Sequence, residues 1–214
     1  MAGDLDFFLD PVCPWAWITS RWVCEVQMLR DYDVQWRFIS LKFLNEDKMD
    51  YSKMPAGYKD VHAAGTQGLR VAARARAERG NDAVGAVYTA LGMSLHNRGE
   101  RESMVADPKA HVGALLGAAS LPAEWAESMD DDSFDSLIRE ETELALARTG
   151  KDVGTPILTF RSGTETEGSF FGPVISRIPR GDEALRLWDA VETLATMSGM
   201  AELKRSIRER PVFE

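Results

Sequence analysis

The chain begins with a short apolar run, Leu5–Leu9, which ends at an Asp10-Pro11 break. Apolar residues then recur with helical spacing over Pro14–Asp31, whereas apolar and polar residues alternate over Val34–Leu41. These patterns predict a buried strand, a helix and a second strand. Because a helical crossover of this kind joins strands that run in the same direction, we expect the two strands to be parallel.

The pattern changes in the middle of the chain, from about Asn45 to Gly150, where strand signals give way to helical ones. The alanine- and arginine-rich stretch Thr66–Arg79 predicts one helix, and Asp107-Pro108 supplies a cap and a first-turn proline for another. We therefore expect a compact, all-helical block inserted after the second strand.

Strand signals return at Pro156–Phe160 and Ser169–Phe171, and the polar turn between them predicts an antiparallel hairpin. A closing amphipathic helix is expected over Asp182–Met197, and the charged tail after Gly199 is compatible with a further short helix. The order βαβ, helical insert, ββα predicts an α/β fold with a thioredoxin-like core. We assign residues 1–44 and 151–214 to this discontinuous core and residues 45–150 to the inserted helical domain.

Composition and charge narrow the class of protein. Of the 214 residues, 44% are hydrophobic and 28% are charged, as is usual for a water-soluble globular protein. A net charge of −9 leaves no broad basic patch for nucleic acid. No apolar run approaches the roughly 20 residues that cross a bilayer, and the N-terminus lacks the segments of a signal peptide. We expect a cytoplasmic protein with neither nucleic-acid nor membrane partners.

Cys13 is the strongest candidate for chemistry, because the pattern places it between the first strand and the first turn of the helix. Free N–H groups and the dipole of a helix N-terminus favour a thiolate, so a cysteine there can titrate well below the free pKa of about 8.5. Pro14 suits the first helical turn, and the Trp15 indole offers a flat face for stacking a ligand. The alternative interpretation is that Cys13 is a small buried hydrophobe.

The other cysteine, Cys24, does not complete a dithiol site. A dithiol motif needs a cysteine three positions after Cys13, and Ala16 stands there. Cys24 follows 24 − 13 = 11 residues later, roughly 16 Å along a continuous helix, whereas a disulfide needs Cα atoms within about 7 Å. We therefore expect Cys24 to pack in the helix and Cys13 to form mixed disulfides as a single thiol. This cysteine usage also fits a reducing compartment.

Other candidate site residues follow the second strand or lie in the helical block. The predicted loop Lys42–Asp47 should lie at the carboxyl ends of the strands, where Asn45 could contact a ligand or bond its own backbone. Tyr58, His96 and Asn97 lie on the insert. A histidine near a thiol can lower its pKa or transfer protons, although His96 also suits a helix C-terminal cap. No pair of histidines or carboxylates has metal-ligand spacing with the candidate thiol, so no metal is expected.

Several motifs spread along the whole chain resemble one family. They are Asp10-Pro11-Val12-Cys13-Pro14-Trp15, Trp17-Ile18-Thr19-Ser20-Arg21-Trp22, Leu44-Asn45-Glu46, Leu95-His96-Asn97, Asp152-Val153-Gly154-Thr155-Pro156 and Phe170-Phe171-Gly172-Pro173-Val174. Together they resemble the actinobacterial DsbA-like family of mycothiol-dependent reductases, also called mycothiol-dependent nitroreductases.

The resemblance implies a DsbA-like thioredoxin fold with a helical insertion. It implies that Cys13 is the attacking cysteine and that no cofactor is tightly bound, mycothiol serving as the co-substrate. It also implies a cis bond at Thr155-Pro156, which the residues alone would not predict because most such bonds are trans. The residues that it implies around the thiol and the substrate are Pro14, Trp15, Asn45, Tyr58, His96, Asn97, Thr155 and Pro156. The resemblance also implies an activity, the reduction of disulfides and of some nitroaromatic compounds.

Ala16 departs from the family pattern, which has a resolving cysteine at that position. Either the protein is naturally monothiol or the sequence carries a substitution there. Two other hypotheses stay open. One is a glutathione-dependent isomerase or transferase of the kappa or 2-hydroxychromene-2-carboxylate type, in which the residue at position 13 activates a bound thiol. The other is a redox-inactive binding member of the family. The expected partners are a low-molecular-weight thiol and a small-molecule or disulfide substrate, and a homodimer is left open.

Overall fold

The computed structural model describes residues 4–213, in which four strands form one sheet with the order β2-β1-β3-β4. β1 pairs antiparallel with β3, and β3 pairs antiparallel with β4, which confirms the predicted hairpin. The parallel arrangement expected for β1 and β2 stays a prediction. The strands are β1, Leu5–Leu9; β2, Val34–Phe38; β3, Ile157–Phe160; and β4, Gly168–Phe171.

Helices fill the rest of the regular structure. Between β2 and β3 every regular element among the described residues is helical, which confirms the inserted helical block. A π-helical turn, Met93–Asn97, continues the fourth helix, and 3-10 segments occur at Tyr51–Lys53, Ala123–Asp130 and Asp132–Phe134. The α-helices are α1, Pro14–Leu29; α2, Leu41–Asn45; α3, Tyr58–Arg79; α4, Asn81–Gly92; α5, Arg101–Ala106; α6, Pro108–Ala118; α7, Asp135–Thr149; and α8, Gly181–Thr196.

The chain divides into two units. The first comprises the described part of Met1–Leu9 together with Cys13–Arg37 and Ala145–Glu214, and the second comprises Asp10–Val12 and Phe38–Leu144. The domain boundaries predicted from the sequence stay a prediction. The N-terminus was expected to lack a signal peptide, and its residues 1–3 lie outside the described residues. Among residues 4–213, none of the helices combines the length and the apolar character that a bilayer span requires.

The core of the first unit is built around Trp188 of α8, whose side chain is buried. The ring of Trp22 in α1 lies 5.4 Å from it between centroids, and Phe160 of β3 lies 5.3 Å from it, edge to face. The indole N–H of Trp22 donates to the carbonyl oxygen of Ala184 at 3.0 Å and so ties α1 to α8. Aromatic pairs of this kind each add about 0.5–1.5 kcal/mol beyond their area burial. The buried face of α1 thus packs against α8 and stabilises the helix in the first unit.

In the second unit, the predicted start of α6 is confirmed. The carboxylate of Asp107 accepts a hydrogen bond from the backbone N–H of Ala110 at 3.1 Å, and Pro108 is the first helical residue. This arrangement satisfies one of the free N–H groups that every helix N-terminus leaves.

The prediction for the end of the second strand is wrong. β2 ends at Phe38 because the hydroxyl of Ser40 accepts a hydrogen bond from the N–H of Phe43 at 3.3 Å and caps α2. The stretch predicted as a loop, Lys42–Asp47, is therefore helical as far as Asn45. The apolar and polar alternation that predicted a strand continues past Phe38, but Ser40 uses its side chain to cap a helix, and the strand ends before it.

Two helical predictions also need correction. α3 begins at Tyr58 rather than Thr66, and its first turns bury His62 and Gly65, so packing extends the helix beyond its alanine-rich part. The tail over 201–213 contains no helix in the part of the chain that the structure describes. Its Leu203 is 74% exposed, so no packed apolar face stabilises a helix there.

Candidate active site

Cys13 lies directly before α1 and caps its N-terminus, as predicted. Its backbone is extended, and its Sγ accepts a hydrogen bond from the backbone N–H of Ala16 at 3.4 Å. Pro14 opens the helix and brings no N–H that would need a partner. A thiolate at this position faces free backbone N–H groups and the positive end of the helix dipole.

Thr155, directly before Pro156 and β3, supplies a second donor to the same sulfur. Its hydroxyl donates to Cys13 Sγ at 2.8 Å, and the thiol lies 3.9 Å from the carbonyl oxygen of Thr155, to which it can donate. The Thr155-Pro156 bond is cis, as the family resemblance implied. One backbone donor and one side-chain donor therefore converge on the sulfur, and hydrogen bonds of this kind favour a charged acceptor over a neutral one.

The two cysteines differ in their surroundings, and both are free thiols. Cys13 exposes 5% of its surface, while Pro14 and Trp15 beside it are half-buried. Cys24 lies further along α1, and its burial raises the pKa of its thiol although Arg21 lowers it. Within residues 4–213, no group of three or more histidine, cysteine, aspartate and glutamate side chains could hold a metal ion.

Asn45 and Tyr58 belong to the second unit. The side-chain amide of Asn45 donates to the carbonyl oxygen of Leu41 at 2.8 Å, which is the bond to its own backbone that the alternative interpretation describes. The ring of Tyr58 lies 4.6 Å from that of His62 between centroids. His62 in turn has its Nδ1 2.9 Å from the hydroxyl of Tyr51. Both candidates are half-buried and stay predictions as substrate contacts.

His96 and Asn97 end the π-helical turn that follows α4. Asn97 is half-buried, whereas His96 is 7% exposed and its Nε2 lies 2.8 Å from the carbonyl oxygen of Pro11. Because a carbonyl oxygen only accepts, Nε2 carries the hydrogen and donates it. Burial lowers the pKa of His96 to about 4, so its ring is neutral at pH 7 and offers no positive charge to a thiolate.

Sequence reasoning missed Asp10, which it treated only as part of a chain break. The Asp10 side chain is fully buried, and its carboxylate accepts hydrogen bonds from the backbone N–H groups of Val12 at 3.0 Å and Leu41 at 2.8 Å. Burial raises the pKa of Asp10 to about 7, even though the two N–H donors lower it. The available signal was an acidic residue directly after a mostly apolar strand and directly before the cysteine motif.

The sheet, the cysteine that caps α1 and the cis-proline loop define a thioredoxin-like fold of the DsbA type with a helical insertion. Solved structures share it. The probable DsbA oxidoreductase SCO1869 from Streptomyces coelicolor superposes with a TM-score of 0.54 at 17% identity, over 95% of this chain and 94% of that one. The cytosolic disulfide reductase DsbM from Pseudomonas aeruginosa, solved with GSH, gives a TM-score of 0.53 at 14% identity, over 78% of this chain and 88% of that one.

The sequence identifies the family. The family model described as "Mycothiol-dependent nitroreductase Rv2466c" matches residues 12–205. The chain therefore belongs to the Rv2466c-like family, which confirms the resemblance seen in its motifs, and family and fold together support an oxidoreductase. The "Uncharacterized protein Rv2286c" of Mycobacterium tuberculosis is 28% identical over 205 residues, which cover 94% of this chain and 81% of that protein.

Proposed function

We propose that the protein is a thiol–disulfide oxidoreductase that uses mycothiol as co-substrate and Cys13 as its single nucleophile. The observation that carries the proposal is the pair of donors on Cys13 Sγ, the N–H of Ala16 at 3.4 Å and the hydroxyl of Thr155 at 2.8 Å. Membership of a mycothiol-dependent family supports the choice of thiol. The DsbM structure with GSH supports a low-molecular-weight thiol as the partner.

The reaction proceeds by three thiol–disulfide exchanges. The Cys13 thiolate attacks one sulfur of the substrate disulfide, forming a mixed disulfide and releasing the first substrate thiolate. A mycothiol thiolate then attacks the Cys13 sulfur and releases the second substrate thiolate. A second mycothiol attacks the mycothiol sulfur, which restores the Cys13 thiolate. In sum, one disulfide and two mycothiols give two substrate thiols and mycothiol disulfide, so no tightly bound cofactor is needed.

Because position 16 is alanine and carries no thiol, the co-substrate must release the bound substrate from Cys13. A resolving cysteine would expel the bound partner by forming an internal disulfide, and here mycothiol must perform that step. A reaction that consumes reduced thiol needs a reducing compartment, and the cytoplasm is the compartment that we propose.

The substrates we propose are small. Cys13 exposes 5% of its surface, so a small disulfide reaches the sulfur more easily than one inside a folded protein. Nitroaromatic compounds are a further proposed substrate class, supported by the description of the family. Reduction of a nitro group to a nitroso group takes two electrons and two protons from two thiols, which yields one disulfide and one water.

The test is mycothiol-dependent reduction of a small disulfide by the wild-type protein, Cys13→Ser and Cys24→Ser. The proposal predicts that Cys13→Ser falls to the uncatalysed background and that Cys24→Ser keeps the wild-type rate. Retained turnover in Cys13→Ser would instead favour an isomerase or transferase in which residue 13 only activates a bound thiol. A wild-type protein without turnover, whose Cys13 reacts no faster than a free cysteine, would favour a redox-inactive binding protein.

A further inference from the structure

The peptide group between Pro11 and Val12 is held at both of its polar ends. Its carbonyl oxygen accepts a hydrogen bond from His96 Nε2 at 2.8 Å, and its N–H donates to Asp10 Oδ1 at 3.0 Å. The second carboxylate oxygen of Asp10 accepts from the N–H of Leu41 at 2.8 Å. The plane of this peptide group is thus fixed by side chains from two directions.

Two glycines of α3 pack directly against the same segment. A Cβ atom on Gly65 would lie 2.5 Å from Asp10 Oδ1 and 2.9 Å from Val12 Cγ2. A Cβ atom on Gly68 would lie 3.2 Å from Pro11 Cγ. A side chain at Gly65 would therefore displace the carboxylate that holds the peptide N–H. The segment is closely packed as well as hydrogen-bonded.

We propose that His96 and Asp10 are positioning residues for Cys13, acting through the peptide group that precedes it in the chain. The inference rests on the proposed function of Cys13 and deepens it. Because a peptide group is planar, holding its oxygen and its N–H fixes the orientation of the plane from which the chain continues through Val12 to Cys13. Only one residue, Val12, separates this fixed plane from the cysteine.

The backbone at Cys13 is what this positioning preserves. With φ −80° and ψ 111° the residue caps α1, and its Sγ accepts from the N–H of Ala16 at 3.4 Å. A rotation of the preceding plane would turn Cys13 away from this N-cap geometry and weaken the bond that favours its thiolate. His96 and Asp10 act on the thiol through the backbone of residues 11 and 12, so their effect should appear in the reactivity of the thiol.

His96 performs this role as a neutral donor. Its Nε2–H is directed to a carbonyl oxygen, and burial lowers the pKa of the ring to about 4. The ring therefore acts in its neutral form, and a neutral donor of similar reach should replace it. The Nε2 of glutamine is such a donor.

The experiment measures the rate at which iodoacetamide alkylates Cys13, resolved by peptide mass spectrometry and recorded as a pH profile without mycothiol. The variants are His96→Leu, which removes the donor, and His96→Gln, which restores one. The matched control is His111→Leu, because the His111 ring lies 2.9 Å from the hydroxyl of Ser94 in the same unit and makes no bond to the segment before Cys13 in the described structure. Circular dichroism checks that each variant is folded.

The proposal predicts that His96→Leu slows alkylation at pH 7 about three- to tenfold and moves the profile to higher pH. His96→Gln should stay within about twofold of wild type, as should His111→Leu. Wild-type alkylation in His96→Leu would overturn the proposal. An equal loss in both His96 variants would also overturn it, because the ring would then act by filling space and not by donating.

A pair of glycine variants keeps the proposal testable if His96→Leu does not fold. Gly65→Ala displaces the Asp10 carboxylate and should slow alkylation of Cys13, whereas Gly117→Ala, whose Cβ would meet nothing within 4 Å, should not. Equal rates in both glycine variants would contradict the role of Asp10. If Cys13→Ser kept mycothiol-dependent turnover, the proposed function would fail, while the alkylation rates would still decide the positioning role.

Discussion

The hydroxyl of Thr155 donates a hydrogen bond of 2.8 Å to the Sγ of Cys13, across 142 residues of sequence. The contact brings the cis-proline loop before β3 to the N-terminus of α1. In a dithiol protein of this fold, a second cysteine thiol at position 16 could also donate to the attacking sulfur. Here Ala16 offers its backbone N–H to the sulfur, and the Thr155 hydroxyl supplies a side-chain donor that alanine cannot.

Replacing Thr155 by valine should make Cys13 less reactive. Valine keeps the shape of the side chain and removes the donor, so the thiolate loses a charge-assisted hydrogen bond worth about 1.5–3 kcal/mol. We expect the alkylation rate of Cys13 at pH 7 to fall roughly tenfold or more, and the pH profile to shift to higher pH. Thr155→Ser is the matched control because it keeps the hydroxyl and should react nearly as fast as wild type. Equal rates for valine and threonine at this position would show that the hydroxyl does not act on the sulfur.

Asp10 should make stability depend on pH. Burial raises its pKa to about 7 from an ordinary 3.8, so between these values the folded state binds more protons than the unfolded state. The free energy of unfolding should therefore fall as the pH rises from about 4 to about 7, by roughly 2–4 kcal/mol from this group. Asp10→Asn cannot titrate and lacks this contribution.

Urea unfolding at pH 5 and pH 8 tests this prediction. The stability of Asp10→Asn relative to wild type should increase from the lower to the higher pH. The control is Asp50→Asn. Hydrogen bonds from Ser52 and Lys53 lower the pKa of the exposed Asp50, so it is charged at both pH values and the relative stability of the variant should not change. A relative stability of Asp10→Asn that is the same at both pH values would contradict a raised pKa.

A buried ion pair should matter more than an exposed one. Asp6 of β1 is fully buried and bonds Arg148 Nη1 at 2.7 Å, whereas the 2.6 Å pair of Arg30 with Asp189 is largely exposed. Arg148→Met leaves a buried carboxylate with less support and should cost about 3 kcal/mol of unfolding free energy. Arg30→Met should cost at most about 1 kcal/mol. Equal urea midpoints for the two variants would refute this difference.

The features that were predicted correctly from the sequence depend on contacts between residues close together in the chain. Cys13, Pro14 and Ala16 form one helix cap whose partners lie within a single turn, so strand, break and helix patterns were enough to place the cysteine. Asp107 and Pro108 were predictable for the same reason. The end of β2 was missed because the alternating pattern continues through Ser40, which the chain uses as a helix cap.

Contacts between distant parts of the chain needed more than periodicity. Only the family resemblance identified Thr155 as a site residue, because the sequence around it gives no sign of a contact with Cys13, 142 residues away. His96 was compatible with a helix cap, yet its ring bonds Pro11, which lies 85 residues earlier. Asp10 was missed because an acid that follows a strand and precedes a proline usually marks a turn, and its burial and its bond to Leu41, 31 residues later, are visible only in the structure.

Treating the wild-type protein with oxidised mycothiol at pH 7, and mapping the adducts by peptide mass spectrometry, shows directly whether Cys13 is the reactive thiol. A single mycothiol adduct is expected on Cys13 and none on Cys24, and added reduced mycothiol should remove the adduct. An adduct on Cys24 alone, or none on either cysteine, would contradict the proposal that Cys13 is the reactive thiol.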